Sequence, residues 1–256
     1  MRIRVRVFSA VIGLVVLWFA VPAFAQDVTI DFTGVANTSV QVLDSYAGYY
    51  TGTVNGVAEA PGFICDDFNN EIFLPSESWQ ATAASFASLA TISAGQLDSS
   101  TLFGSTIGLD GYAAIANLAT QMATASPAQQ ANLSAAIWYI GSLNSASVVP
   151  WTDLTAAQQN LVNQLLALYG SFSAGSDSSA ALAELESSSL WLYTPTGAGI
   201  TPAGDPFPQE FVGNVAVPEG GAAYMFLLLA GGSCFGAIFF KHRNRLAVAK
   251  RINVAA

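Results

Sequence analysis

The chain has 256 residues, of which 52% are hydrophobic and 10% charged, and its formal net charge is −9 at pH 7. All 17 acidic residues lie between Asp27 and Glu219, a stretch that contains no Lys, Arg or His, whereas the 8 Lys and Arg residues lie outside it. A middle region without cations excludes nucleic-acid binding through phosphate contacts, and it excludes catalysis or metal binding that needs His, Lys or Arg.

The N-terminus is typical of a secretory signal peptide. Arginines within residues 1–6 precede an apolar run at 7–21, and small residues stand at the −3 and −1 positions of a cleavage site that ends at Ala25. We predict that residues 1–25 enter the secretion translocon and that signal peptidase cuts between Ala25 and Gln26. A retained N-terminal anchor is the alternative, although the apolar run is short for a membrane span.

The first part of the exported region shows strand patterns. Apolar and polar residues alternate in the first segment, the second is dense in Tyr, Thr and Val, and an Asn55-Gly56 turn follows it. A third, apolar segment ends in acids, and a fourth is rich in Ala. The predicted strands span residues 28–32, 46–54, 62–66 and 78–86.

The centre of the chain has helical periodicity. Apolar residues fall on one stripe of a first helix over residues 112–125. A second helix begins after Ser126, where Pro and Gln follow at the spacing of a capping box, and ends at Gly141. A third begins after Thr155 in the same manner and is stopped by Gly170.

Strand character returns after these helices. Residues 177–186 allow one more short helix, residues 189–194 predict a closing strand, and the Gly- and Pro-rich segment 195–216 is a linker with a candidate last strand. We therefore predict an acidic extracellular α+β domain over residues 26–194. It has a strand-rich N-terminal part, two to three central helices and closing strands.

The C-terminal end has three parts in a fixed order. An uncharged run at 222–240 is roughly 28 Å long as a helix, close to the thickness of a bilayer's hydrocarbon core. A basic cluster at 241–245 follows. Positive flanks stay in the cytoplasm, so the acidic domain faces outward and residues 246–256 form a cytoplasmic tail. A short motif precedes the run: Val217, Pro218, Glu219, Gly220 and Gly221.

This order of motif, transmembrane helix and basic cluster resembles the PEP-CTERM sorting signal of Gram-negative bacteria. The resemblance covers residues 217–245 and implies that exosortase, a membrane-embedded sorting protease, recognises Pro218-Glu219 and removes the tail. Gly220 stands where the family has a second Pro, which is a departure from the pattern. The resemblance also implies delivery from the inner membrane to the cell surface or the extracellular matrix. It further implies a role in biofilm, with extracellular polysaccharide as a candidate partner.

A second resemblance lies in the middle region, where Cys65-Asp66-Asp67-Phe68 and Ala135-Ala136-Ile137-Trp138 occur. These motifs are similar to those of thioester, or TQXA-type, surface domains, in which such a Cys is cross-linked to a Gln that precedes Ala-Ile-Trp. This chain has Ser134 at that place, and a hydroxyl cannot supply the amide carbon of a thioester. The resemblance implies a related fold, with Cys65 either a special thiol or a core residue that faces Trp138.

The acids of this motif suggest two further hypotheses. Asp66, Asp67 and Glu71 supply oxygen ligands of the kind that Ca²⁺ prefers, although their spacing is not that of an EF-hand loop. Alternatively, Asp67 and Glu71 act as the carboxylate pair of a secreted glycan hydrolase. No cofactor other than Ca²⁺ is expected.

The sequence as a whole favours an exported surface or matrix protein of structural or interaction type, which is not an enzyme. Its expected partners are the translocon, signal peptidase, exosortase and the membrane, the last through residues 222–240. The alternatives are a permanently anchored single-pass membrane protein, the glycan hydrolase, and a covalent adhesin that acts through Cys65.

Overall fold

A computed structural model of the chain describes residues 25–68, 77–92, 97, 102–143, 149–196 and 209–214, all of which belong to the unit Met1–Val217. Within these ranges the strands are β1 (Gln26–Val35), β2 (Gln41–Val42), β3 (Ser45–Tyr46), β4 (Tyr49–Val54), β5 (Val57–Ala58), β6 (Phe63–Cys65), β7 (Glu77–Ser85), β8 (Trp191–Pro195) and β9 (Phe211–Gly213). The α-helices there are α1 (Leu109–Met122), α2 (Pro127–Gly141), α3 (Ala156–Tyr169) and α4 (Ser179–Ser187).

Six strands close into an antiparallel barrel in the order β1-β7-β8-β9-β6-β4, because β4 pairs with β1 as well as with β6. Ile30 of β1 lies opposite Val54 of β4 on one side and opposite Trp79 of β7 on the other. Closure therefore pairs both sides of β1, which would otherwise be an edge that invites pairing with another chain. The short β5 extends β4, and β2 and β3 form a separate hairpin.

Aromatic rings fill the barrel around Phe32 of β1. The centroid of its ring lies 4.6 Å from those of Trp79 and Phe211 and 4.8 Å from that of Phe63. Tyr50 meets the same ring edge-on at 6.3 Å. Each aromatic pair of this kind contributes about 0.5–1.5 kcal/mol beyond the area that it buries. The centre of the barrel is thus held by rings from five of its strands.

The helices pack around α1, which contacts α2, α3 and α4. Tyr112, Ile115 and Leu118 of α1 are fully buried. Helix α2 links this helical part to the barrel, since it contacts β6 and also β2 of the separate hairpin.

The predicted mixture of strands and helices is confirmed. Helix α1 begins and ends three residues earlier than the predicted range 112–125, whereas the ends of α2 and α3 agree with the predicted ones. The Ser126 N–H donates to Gln129 Oε1 at 2.9 Å, and the Thr155 N–H donates to Gln158 Oε1 at 2.7 Å, which are capping-box bonds. Gly170, with a φ of 94°, follows the last turn of α3. Local signals therefore fixed these boundaries correctly.

The described residues form four α-helices, against two to three expected in the centre of the domain, and α4 lies on the segment 177–186 that the sequence allows as one more short helix. Ser178 Oγ accepts from the Ala181 N–H at 3.2 Å and caps α4, while the Ser178 N–H donates to Asp110 Oδ1 of α1 at 2.7 Å. The cap of α4 is thus itself held by α1, and the local sequence does not show this tertiary contact. The candidate last strand is present as β9, which lies between β8 and β6.

Within the described ranges, no helix has both the length and the apolar character that crossing a bilayer requires. Most of the predicted signal peptide, the motif at 217–221, the span at 222–240, the basic cluster at 241–245 and the tail at 246–256 lie outside these ranges. These features stay predictions.

Candidate functional site

The acidic motif singled out in the sequence lies where β6 ends. The last residue of β6, Cys65, lies opposite Phe211 of β9 in an antiparallel pair. The residues that flank this pair, Asp66 and Glu210, therefore meet, and the Asp66 N–H donates to the Glu210 carbonyl oxygen at 3.4 Å. Asp66, Asp67 and Glu210 are each at most 1% exposed. We call these three residues the carboxyl cluster.

Glu210 accepts a side-chain hydrogen bond at each of its carboxyl oxygens. Its Oε1 accepts from Tyr112 Oη of α1 at 2.5 Å, and its Oε2 accepts from Thr194 Oγ1 of β8 at 2.6 Å. Hydroxyl bonds of this length are typical of an ionised carboxylate. Both carboxyl oxygens of Glu210 thus have hydroxyl donors, and the side chain ties α1 to the barrel.

Asp66 has the opposite environment. Neither of its carboxyl oxygens has a hydrogen-bond partner among the described residues, although the side chain is fully buried. Burial raises the pKa of this carboxyl well above its usual range, and the charges of Glu210 and Asp67 raise it further. The sequence between Asp27 and Glu219 has no Lys, Arg or His to neutralise it. These conditions favour a protonated Asp66.

Helix α2 packs on the carboxyl cluster. Trp138 Nε1 donates to the carbonyl oxygen of Cys65 at 3.0 Å, and the Trp138 ring stacks on Phe68 at 4.5 Å. At the end of the helix, Gly141 approaches so closely that a Cβ there would overlap the carbonyl oxygen of Asp66. Glycine is therefore needed for this close approach of two backbone segments. The hypothesis that Cys65 and Trp138 are core residues facing each other is confirmed.

Cys65 is a buried free thiol. Its Sγ donates to the Asp67 carbonyl oxygen at 3.2 Å. Burial raises the pKa of this thiol well above its usual range, and the charges of Asp67 and Asp66 raise it further. A buried neutral thiol is a poor nucleophile. Ser134, which stands where thioester domains have Gln, accepts from the Gly48 N–H at 2.9 Å, so both positions of that cross-link have structural partners here.

The candidate cation site is brought together only in part. Asp66 and Asp67 are adjacent and buried, whereas Glu71 lies outside the described residues. Among the residues that the structure describes, no three Asp, Glu, Cys or His side chains are grouped in a way that suits a metal ion. Burial also keeps Asp66 and Asp67 from contact with a soluble glycan.

The sequence analysis missed three members of this site: Glu210, Tyr112 and Thr194. Glu210 falls in the predicted linker. Its two hydroxyl partners lie in a predicted helix and a predicted strand, where the sequence gives no sign of a functional role. The available signal is an acid directly beside a strand end, which Cys65-Asp66 and Glu210-Phe211 share. In a domain without cations, such an acid needs a hydroxyl or N–H donor or a proton.

Comparison with known proteins does not identify a family, since the chain matches no protein-family model and a search of the curated proteins returns no match.

Proposed function

We propose that the chain is an exported, acidic surface or matrix protein whose middle domain has a structural or interaction role rather than an enzymatic one. The observation that carries the proposal is the segregation of charge along the sequence. All 8 Lys and Arg lie within residues 1–6 and 241–251. Each set flanks an apolar run, as in segments that enter a membrane. The acidic domain between them then lies outside the cytoplasm.

The way in which the domain accommodates its acids supports this role. Asp110 Oδ1 accepts from the Ser178 N–H at 2.7 Å, and Glu59 Oε1 accepts from the Asn214 N–H at 2.5 Å. Glu210 accepts from two hydroxyls. These buried acids therefore serve as hydrogen-bond acceptors, while the high net negative charge favours solubility outside the cell.

The positions of the candidate reactive residues favour a structural role over two alternatives. A hydrolase needs a carboxylate pair that is open to substrate, and Asp67, one member of the predicted pair, is buried. A covalent adhesin needs a reactive cross-link, whereas the thiol of Cys65 is buried and bonded to the backbone.

The C-terminal resemblance supports delivery through a sorting pathway. In this proposal, the translocon and signal peptidase act on residues 1–25, and the membrane holds residues 222–240. An exosortase-type protease then acts at Pro218-Glu219. The product leaves the inner membrane for the cell surface or the extracellular matrix.

The test is the chemical identity of the mature protein. Full-length chain is expressed in a Gram-negative host with and without exosortase, and the intact mass and both terminal sequences are measured. We expect the N-terminus at Gln26 in both strains, and loss of residues 222–256 only where exosortase is present. A cleaved N-terminus with those residues retained in both strains supports the permanently anchored alternative. Uncut, soluble chain in the cytosol contradicts the proposal.

A motif variant sharpens this test. Replacing Pro218 and Glu219 together with Ala removes the recognised motif, so the tail is expected to remain even with exosortase present. Glu186→Ala removes an acid from the exposed surface of α4 and is the matched control, which we expect to be processed normally.

A further inference from the structure

A groove of about 410 Å³ lies where the C-terminal end of α1 meets the N-terminal turns of α2 and α3. We call it the helical groove. All of its lining residues belong to the described part of the chain, and none of them is charged. In a domain so rich in acids, this surface is both polar and neutral.

Amide side chains form most of the polar part of the helical groove. Gln121 comes from α1, Gln129 and Asn132 come from α2, and Asn160 comes from α3. Thr124, in the turn between α1 and α2, adds a hydroxyl. Amides and hydroxyls both donate and accept hydrogen bonds, so the groove presents mixed hydrogen-bonding groups on three sides.

Apolar side chains lie between these amides. Leu133 is buried at the base of the groove, Leu161 is partly buried, and Ala157 leaves room on the exposed side of α3. An apolar base with a few converging polar groups is the usual composition of a small-molecule site in a protein.

Three of the amides are held in one orientation by bonds within the domain. Asn132 Oδ1 accepts from Gln158 Nε2 at 3.2 Å, and Gln121 Nε2 donates to Asn117 Oδ1 at 2.8 Å. Gln129 Oε1 accepts from the N–H of the residue that caps α2, at 2.9 Å. The other end of each amide makes no hydrogen bond to the described residues. Two of these ends are N–H donors, and the third, Gln121 Oε1, is an acceptor.

We propose that the helical groove binds a neutral glycan. Sugar hydroxyls donate and accept, as the held amide ends require, and the C–H faces of sugar rings suit the apolar contacts of Leu133 and Leu161. An anionic glycan is disfavoured, because the exported domain has a large negative charge and no Lys or Arg. An extended peptide that binds by adding a strand is disfavoured, because the groove is built from helices and their turns and offers no strand edge for main-chain pairing.

This inference deepens the proposed surface role and rests on it for the presence of a glycan. The chemistry of the groove does not depend on how the chain is sorted. The two proposals therefore fail separately: a protein that is exported and processed as expected can lack glycan affinity, and a protein that is retained in the cell can still bind the polymer in a gel.

The test is affinity electrophoresis of the purified protein, in whichever mature form it is isolated. Native gels contain dextran, laminarin or hydroxyethyl cellulose as neutral polymers, or alginate as an anionic one. We expect at least one neutral polymer to retard the protein and alginate not to retard it. The dependence of mobility on polymer concentration gives an apparent Kd.

Two variants place the binding in the helical groove. Asn160→Ala removes an amide and is expected to raise the apparent Kd about fivefold, since one hydrogen bond is worth roughly that factor. Ala157→Trp fills the space beside Leu161, so it is expected to exclude the polymer and to raise the apparent Kd at least as much. Ala167→Trp and Asn163→Ala change exposed residues of α3 that do not line the groove. These matched controls are expected to leave the Kd within about twofold of wild type.

Three outcomes overturn the inference. The first is no retardation by any of the neutral polymers, and the second is retardation that Ala157→Trp leaves unchanged. The third is binding of another class of ligand while no neutral polymer binds. Retardation by alginate alone would show this, as would a Gly/Ser-rich peptide that perturbs the NMR signals of Asn160 and Gln129.

Discussion

The carboxyl cluster and the helical groove are both polar regions of a domain without cations, yet their polar groups have different partners. In the carboxyl cluster, the two oxygens of Glu210 accept from Tyr112 and Thr194, and α2 packs over the site. In the helical groove, three amides use one end for a bond within the domain, and the other end of each makes no hydrogen bond to the described residues.

This difference separates stability from binding. A buried polar group that loses its partner costs about 1–3 kcal/mol of folding stability, whereas an exposed one exchanges its partner for water at little cost. Substitutions in the carboxyl cluster should therefore change the free energy of unfolding, and substitutions in the groove should change the affinity for a ligand.

Gly141→Ala is expected to have the largest effect. The added Cβ would overlap the carbonyl oxygen of Asp66, so α2 and the end of β6 must move apart. We expect a loss of about 3 kcal/mol in the free energy of unfolding, measured by urea denaturation. Cys65 should also be alkylated faster in this variant, which the mass of the peptide that contains it measures.

Ser142→Ala is the control. It removes a buried hydroxyl that has no partner among the described residues, and it should change stability by less than about 1 kcal/mol. Equal stability of Gly141→Ala and wild type would contradict the packing of α2 on the cluster.

Asp66→Asn tests the proton in the carboxyl cluster. Since the pKa of Asp66 is raised in the folded state, its contribution to stability is complete below the unfolded pKa, about 3.9, and is lost as the pH rises toward the folded value. Over that window, wild type should lose stability relative to Asp66→Asn by about 1.4 kcal/mol per pH unit.

Urea denaturation between pH 4 and pH 8 measures this difference. Asp44→Asn removes the same charge at an exposed hairpin turn and serves as the control. A constant difference between wild type and Asp66→Asn across this range would mean that Asp66 is not protonated in the folded protein.

The groove substitutions should have the smallest effect on stability. Asn160 is exposed on the second turn of α3, so Asn160→Ala is expected to stay within about 0.5 kcal/mol of wild type, as is Asn163→Ala. Thermal or urea unfolding measures both variants. A loss above about 1 kcal/mol for Asn160→Ala alone would show that the groove amides stabilise the fold, and the contrast with the carboxyl cluster would disappear.

The sequence predicted those parts of the fold that depend on neighbouring residues. Ser126 and Thr155 each have a Gln three positions later, and those pairs form the expected capping boxes. Gly170 likewise ends its helix at the expected residue. Such signals lie within one helical turn, so no tertiary contact is needed to interpret them.

The barrel and the carboxyl cluster depend on contacts that are distant in sequence. Closure requires β4 to pair with both β1 and β6, and the cluster requires Cys65 to lie opposite Phe211. No local pattern specifies these registers, so Glu210 was assigned to a linker although its neighbour is part of the aromatic core. The sequence singles out Asp66 and Asp67 because they follow an apolar strand. It does not predict that α2 packs against this segment.

The position of β9 has a mechanical consequence. This strand has only three residues, yet it is hydrogen-bonded to β8 and β6, and the ring of Phe211 lies at the centre of the barrel. Tension applied from the C-terminal side of the domain therefore enters the fold directly through the aromatic centre of the barrel. A load of this kind must break two ladders and withdraw an aromatic ring before it can extend the chain.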